Sequence, residues 1–334
     1  MLENTGRTRQ SKSVNQAFIP GAGLGTRLRP LTERLPKPLV PLFHRAFAEW
    51  ALDSCARVGI SRFAINTHHL PEAWSDFGTP PAGGNPFAPP ATGANGQPAV
   101  VRAWQGNELT LFHEPLLLET GGGLKNIAAW IGGDPLLVHN GDIFSTLPLA
   151  KLCAAHEASG LPVTLALRSQ GHAKHIALDA SMTRVTDIRR RLGRADGSHV
   201  FAGIYCVSPG FLELLPAGEK VSVIPAFLTL VEQGRLGAVV LDEGIWFDLG
   251  DRESYLQAHR SLALGPAIHP LAIIEAGASV ENSSVGPGAV VASGAIVRDS
   301  VIWAGSQICG DAVLDRCIVC SGNPASGTHR DADL

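Results

Sequence analysis

Long apolar runs are absent. Hydrophobic residues make up 45% of the 334 positions, yet no stretch approaches the ~18 uninterrupted apolar residues of a membrane span, so no membrane is expected among the partners. An excess of one charge is absent too: 27 basic residues face 30 acidic ones, a net −3, which gives no global attraction for nucleic acid or an anionic surface. Any phosphate-binding charge must then be local. Cysteine is scarce, with Cys55, Cys153, Cys206, Cys309, Cys317 and Cys320 spread thinly, which argues against a disulfide framework and for a reducing, cytoplasmic setting. Cys317 and Cys320 have the spacing of half a zinc site, but no second such pair exists, and Ile318 and Val319 between them suit a short buried strand. Met1 to Asn15 is polar and basic without an apolar centre, so it reads as a disordered start and not as a secretory signal.

What the chain does have is alternation. From Gln16 to about Leu262, short apolar runs at 16–19, 62–66, 109–112, 135–138, 163–167 and 201–207 alternate with helical spacing over 47–58, 123–131, 149–158 and 224–233. That order predicts an α/β fold, a Rossmann-like and mostly parallel sheet over residues 16–264, with ligands at the carboxyl ends of its strands. Residues 77–99 are dense in Pro and Gly and predict a surface insertion, passive and solvated, with a lid left open. After Gly265-Pro266, single aliphatics recur every five or six residues at Ile274, Val280, Val285, Val291, Ile296, Ile302, Ile308, Val313 and Ile318, among small residues. This spacing predicts a small hexapeptide-like β-solenoid over 266–320, followed by a polar, disordered tail over 321–334. A chain ending at Gly265 would then fold by itself.

The loop Gly21-Ala22-Gly23-Leu24-Gly25-Thr26-Arg27 follows the first strand directly, so its N–H groups can turn toward an anion. No G-K-[ST] follows, and Thr26 stands where a dinucleotide loop has its third glycine. Leu136-Leu137-Val138 leads into His139-Asn140-Gly141-Asp142, and Asp248 lies in Trp246-Phe247-Asp248-Leu249-Gly250. Two such carboxylates suit Mg²⁺, which binds through a few carboxylates and substrate phosphates, although each alone also suits a turn or cap. His68 and His69 have no further ligand spaced to join them and are expected to line or cap their loop.

The whole segment from Gly21 to Leu42, GAGLGTRLRPLTERLPKPLVPL, resembles the signature of sugar-1-phosphate nucleotidyltransferases, G-x-G-T-R-x-x-P-x-T followed by P-K-P. The resemblance extends to the G-D and W-x-D-x-G metal motifs and covers 16–262. It implies an enzyme that joins an NTP and a sugar 1-phosphate into an NDP-sugar and pyrophosphate with Mg²⁺. Arg27 would hold the β- and γ-phosphates, and Lys37 would bridge the α-phosphate and the sugar phosphate. Gly21, Ala22, Gly23, Gly25, Thr26, Glu114, Thr120 and Gly121 would bind the nucleotide. Asn66, Glu119, Gly122, Asn140 and Gly203 would face the sugar, and Asp142 and Asp248 the metal. The run Leu118-Glu119-Thr120-Gly121-Gly122-Gly123 looks most like N-acetylmuramate-1-phosphate uridylyltransferases, whereas the solenoid is familiar from mannose-1-phosphate guanylyltransferases. UTP or GTP is therefore expected, with the sugar undecided. A catalytically silent subunit of the same fold would be expected to lack a phosphate cation or a metal carboxylate. Acyl transfer by the repeats would need a base, yet His269 precedes them, so packing or a homo-oligomer through the solenoid is the open role for that region.

Overall fold

The structure, a computed structural model, describes residues 13–81 and 92–334. Most of the expected disordered start and the middle of the 77–99 insertion lie outside the described residues. The main sheet has eight strands: β1 (Gln16–Pro20), β2 (Arg62–Thr67), β3 (Val100–Trp104), β4 (Asn107–His113), β5 (Leu136–His139), β6 (Val163–Arg168), β7 (Val200–Val207) and β8 (Leu236–Val240). Their order across the sheet is β8-β6-β7-β5-β1-β2-β4-β3. The β5-β1-β2-β4 block is parallel, and β8 is parallel to β6. Two strands run the other way: β7 is antiparallel to both neighbours, and β3 returns beside β4 as a hairpin.

The central strands read as continuous apolar runs because both faces are covered. Successive side chains alternate, so Ala17 and Ile19 enter one core with Phe63, Ile65 and Leu137, while Phe18 enters the other with Phe112, Val138 and Leu165. Helices α1 (Phe47–Ala56) and α4 (Leu149–Ser159) cover the first face; α2 (Glu119–Asn126), α3 (Ala128–Ile131) and α5 (Ile224–Glu232) cover the second. A last helix, α6 (Arg252–Ser261), starts at Asp251, whose carboxylate accepts from Ser254 N at 2.9 Å. The sequence reading missed α6, β3 and β8. The described flanks of the insertion are tied down: Thr79 bridges to Ala103, and Asn95 donates to the His113 carbonyl at 2.9 Å.

The C-terminal region is a three-faced parallel solenoid. Ile273 pairs with Val290 and Val290 with Gln307; Ser284 pairs with Val301 and Val301 with Ile318. Successive coils are thus seventeen residues long as far as Ile318, and the slight mismatch with a hexapeptide period misplaces some expected core positions. Val297, Leu314 and Val319 fill the solenoid core, in place of Ile296, Val313 and Ile318. The expected disordered tail is corrected as well: 321–334 forms the last coil, with Thr328–Arg330 paired to Val313–Asp315 and Leu334 N donating to the Ile318 carbonyl at 2.8 Å. Its inward residues are the small Ala325 and Ala332 plus Leu334, too sparse for an apolar period to reveal.

The solenoid does not stand apart. Val301, Trp303, Ile318 and Cys320 share a core with Leu28, Leu31, Val40, Leu42, Phe47, Tyr255 and Leu256. That packing overturns the basis for expecting a free-standing chain ending at Gly265. It also sends Cys320 into this core and Cys317 into the solenoid interior, so the two thiols do not face a common metal. Among the described residues no helix is long and apolar enough to cross a membrane.

Candidate active site

The parallel β5-β1-β2 block delivers three loops to one sheet edge. After β1 comes Gly21 to Gly25, after β5 come Asn140 to Asp142, and Asn66 is at the end of β2. They enclose a cavity of about 380 Å³, lined among others by Gly21, Ala22, Gly23, Lys37, Asn66, Glu119, Thr120, Asn140 and Asp142. A second hollow of about 220 Å³ adjoins it, lined by Gly23, Gly25, Thr26, Arg27, Lys37, Asp142 and Gly250. Gly23, Lys37 and Asp142 line both, so they mark the seam between the two spaces.

Lys37 reaches the seam from the short turn Lys37–Leu39, flanked by Pro36 and Pro38. Its Nζ lies 2.5 Å from Asp142 Oδ2, and the lysine is only 8% exposed. Asp248 is brought to Asp142 by a two-stranded antiparallel pair, Ile143–Ser145 with Trp246–Asp248, in which Asp248 faces Ile143. Leu249 N closes the arrangement by donating to the Asp142 carbonyl at 2.9 Å. The Asp248 carboxyl keeps an edge open to solvent, but partial desolvation raises its pKa and the negative charge of Asp142 adds to this; Lys37 and Arg27 oppose. A Cβ built on Gly250 would meet Asp248 Oδ1 at 2.7 Å and the Arg27 guanidinium at 2.8 Å, so these three positions are in close contact. Gly250 was missed in the sequence because the W-x-D-x-G element was read for its carboxylate alone.

Several expected contact residues turn out to support the cavity instead of lining it. Glu114 is fully buried: Oε1 accepts from Asn66 Nδ2 at 2.7 Å and Oε2 from Leu118 N at 3.1 Å, and burial raises its carboxyl pKa against those bonds. Asn66 Oδ1 accepts from Gly21 N at 2.7 Å, so the same network fixes the start of the glycine loop. Gly121 and Gly122 also lie outside the cavity lining. A Cβ on Gly122 would meet the Glu219 carbonyl at 2.3 Å, and one on Gly121 the Val221 carbonyl at 2.9 Å. The glycine run therefore lets residues 219–222 cross α2 closely, which puts Ser222 in the cavity wall. Gly203, at φ 72, forms an irregularity in β7; its carbonyl accepts from Asn140 N at 3.0 Å and so orients Asn140 toward the cavity. Asp248 lines neither space and meets the site through Gly250 and Arg27.

Glu119 does line the cavity, in a left-handed conformation at φ 60 that is strained for a non-glycine residue, with Lys220 Nζ 3.6 Å from its carboxylate. His68 and His69 act as loop ties, to the Glu114 carbonyl at 2.7 Å and the Thr32 carbonyl at 2.7 Å. His269 lies in the first coil, edge-on to His44 at 4.9 Å, and accepts from Leu271 N. Among the described residues no group of three or more His, Cys, Asp or Glu is arranged as a metal cage.

The glycines give a direct test of these assignments. Gly122→Ala should lower stability by about 1–3 kcal/mol, because the clash is with backbone that cannot step aside. Gly23→Ala meets nothing within 4 Å and should leave thermal stability nearly unchanged, while turnover falls where phosphate must approach the loop. Melting curves and initial rates for both variants check this; equal melting temperatures would remove the packing role given to Gly122.

The nucleotidyl transferase family profile matches residues 16–264. The chain belongs to that family. It is 28% identical over 261 residues to a mannose-1-phosphate guanylyltransferase of Mycobacterium tuberculosis, a match covering 76% of this chain and 66% of that one. It is 26% identical to the N-acetylmuramate alpha-1-phosphate uridylyltransferase of Caulobacter vibrioides, over 76% of this chain and 99% of that enzyme. Among solved structures, a UDP-glucose pyrophosphorylase from Acinetobacter shares the fold with a TM-score of 0.58 at 17% identity, covering 73% of this chain and 92% of the other.

Proposed function

We propose that the chain transfers a nucleotidyl group from an NTP to a sugar 1-phosphate, releasing pyrophosphate. The observation that carries this reading is the seam: Gly23, Lys37 and Asp142 line both the larger cavity and the smaller arginine-flanked hollow. A triphosphate laid across it puts its nucleoside in the larger space, its β- and γ-phosphates beside Thr26 and Arg27, and its α-phosphorus against Lys37. The incoming sugar phosphate is already an anionic nucleophile, so no Ser, Cys or His need be activated. Its oxygen attacks the α-phosphorus in line as the bond to the pyrophosphate oxygen breaks, and positioning plus charge stabilisation supply the rate. Lys37 neutralises α-phosphoryl and sugar-phosphate oxygens, Arg27 the charge growing on pyrophosphate, and the loop N–H groups orient the chain of phosphates.

The donor set fits a hard divalent cation. Asp142 and Asp248 offer carboxylate oxygens beside the phosphate path, and Mg²⁺ held there supplies charge neutralisation at the triphosphate. Substrate phosphates would compete with Asp142 for Lys37, leaving the Asp142 carboxylate available to hold such an ion. UTP or GTP and an N-acetylmuramate- or mannose-type sugar 1-phosphate are the favoured substrates, in keeping with the glycine run and the solenoid. The test is a product screen of UTP, GTP, dTTP, CTP and ATP against a panel of sugar 1-phosphates with Mg²⁺. One clear pair should dominate, with UTP or GTP ahead; negligible turnover across the panel would leave the silent-subunit reading in its place.

A further inference from the structure

Beyond the shared apolar core, the turn that carries Lys37 is joined to the C-terminal solenoid by a hydrogen-bond relay through Tyr255. Val40 N donates to the Lys37 carbonyl at 3.1 Å, and the next residue, Pro41, starts a short hairpin with Arg45–Ala46. The Pro41 carbonyl accepts from the Tyr255 hydroxyl at 2.7 Å, and that oxygen accepts from Trp303 Nε1 at 3.1 Å. Tyr255, on α6, is fully buried and Trp303 is 8% exposed, so both bonds are sheltered from water. The phenol ring is held edge-on by Phe47 at 5.9 Å and His259 at 4.7 Å. The solenoid also holds the first turn of α6: Arg252 pairs with Asp333 at 2.7 Å, and Arg316 bridges Glu253 at 2.7 Å and Asp331 at 2.6 Å. Neither Tyr255 nor Trp303 lines either space of the site. A phenylalanine at 255 would bury nearly the same apolar area, so the hydroxyl's contribution is directional: it fixes one carbonyl four residues beyond Lys37.

We infer that Tyr255 is a positioning residue. The solenoid, through Trp303, holds the Tyr255 hydroxyl against Pro41 and thereby fixes the turn that presents Lys37 at the seam. The catalytic consequence rests on the proposed transfer; the placement rests on the hydrogen bonds alone.

The experiment compares Tyr255→Phe and Trp303→Phe in the full chain by amide hydrogen exchange, with steady-state kinetics beside it. Tyr255→Phe should speed exchange at Leu39 and Val40 about tenfold. It should lower kcat by on the order of tenfold or more, with KM for the NTP changed less than about twofold, since a displaced lysine fails mainly in the transition state. In a Lys37→Met background the same substitution should cost no further activity, because there is no lysine left to place. Trp303→Phe should act in the same direction and more weakly. Unchanged exchange at Leu39 and Val40 would overturn the proposal, and so would an equal fold-loss with and without Lys37, which is the pattern of a merely structural hydroxyl. If the parent chain turns over no nucleotide and sugar pair, the proposed transfer fails, and the exchange result still decides the placement.

Discussion

If the proposed transfer holds, Asp142→Asn and Asp248→Asn are each expected to cut turnover by on the order of 10² or more, since either change would remove an anionic ligand from the proposed metal site. Their effects on stability should part company. Asp142 is the partner of a nearly buried lysine at 2.5 Å, so Asp142→Asn leaves that ammonium without its counterion and should destabilise the chain by about 1–3 kcal/mol. Asp248 is in the opposite situation: desolvation and the charge of Asp142 both disfavour its ionised form. Asp248→Asn removes that repulsion and should melt no lower than the parent in metal-free buffer. Thermal melts with chelator, run beside initial rates over a Mg²⁺ titration, separate the outcomes. Near-normal rates in both variants would remove these aspartates from the chemistry.

Ending the chain at Gly265 should have the largest effect on stability. Val301, Trp303, Ile318 and Cys320 would be withdrawn from a core they share with Leu28, Leu31, Val40, Leu42 and Leu256. Burying a large aliphatic or aromatic side chain contributes about 1.5–3 kcal/mol, so loss of this contact approaches on the order of 5 kcal/mol, a large part of a typical domain's stability. The shortened chain should melt roughly 10–20 °C lower than the full chain or aggregate. A fragment that stays monodisperse and melts within about 2 °C of the parent would show that the junction contributes little.

The parts of this fold that could be read from the sequence are those whose physics is local. The strand-to-loop passage at Gly21, the rigid Pro36-Lys37-Pro38 turn and the apolar runs of β1 and β5 each carry their meaning within a few residues. The roles of Glu114, Gly121, Gly122 and Gly203 could not be separated from substrate contact by motif, because a glycine that admits a crossing backbone and one that admits a phosphate look alike in sequence. Only the Glu219 carbonyl, 2.3 Å from a Cβ on Gly122, distinguishes them. The last coil was illegible for a related reason: polar residues cover its exposed strand, and its inward positions are mostly alanine. Trp303 did leave a signal, a lone tryptophan among the small residues of the repeats, but its partner Tyr255 is 48 positions away and brought near only by the fold.

The central claim is that the bond broken lies between the α- and β-phosphates and that the acceptor is a sugar phosphate. Incubation of the preferred NTP, labelled at the α-phosphorus, with its sugar 1-phosphate and Mg²⁺ tests this directly. The account predicts that the label moves into an NDP-sugar in step with release of one pyrophosphate, and that none moves without the sugar phosphate. Label recovered as NMP or NDP at a rate indifferent to the sugar phosphate would contradict it.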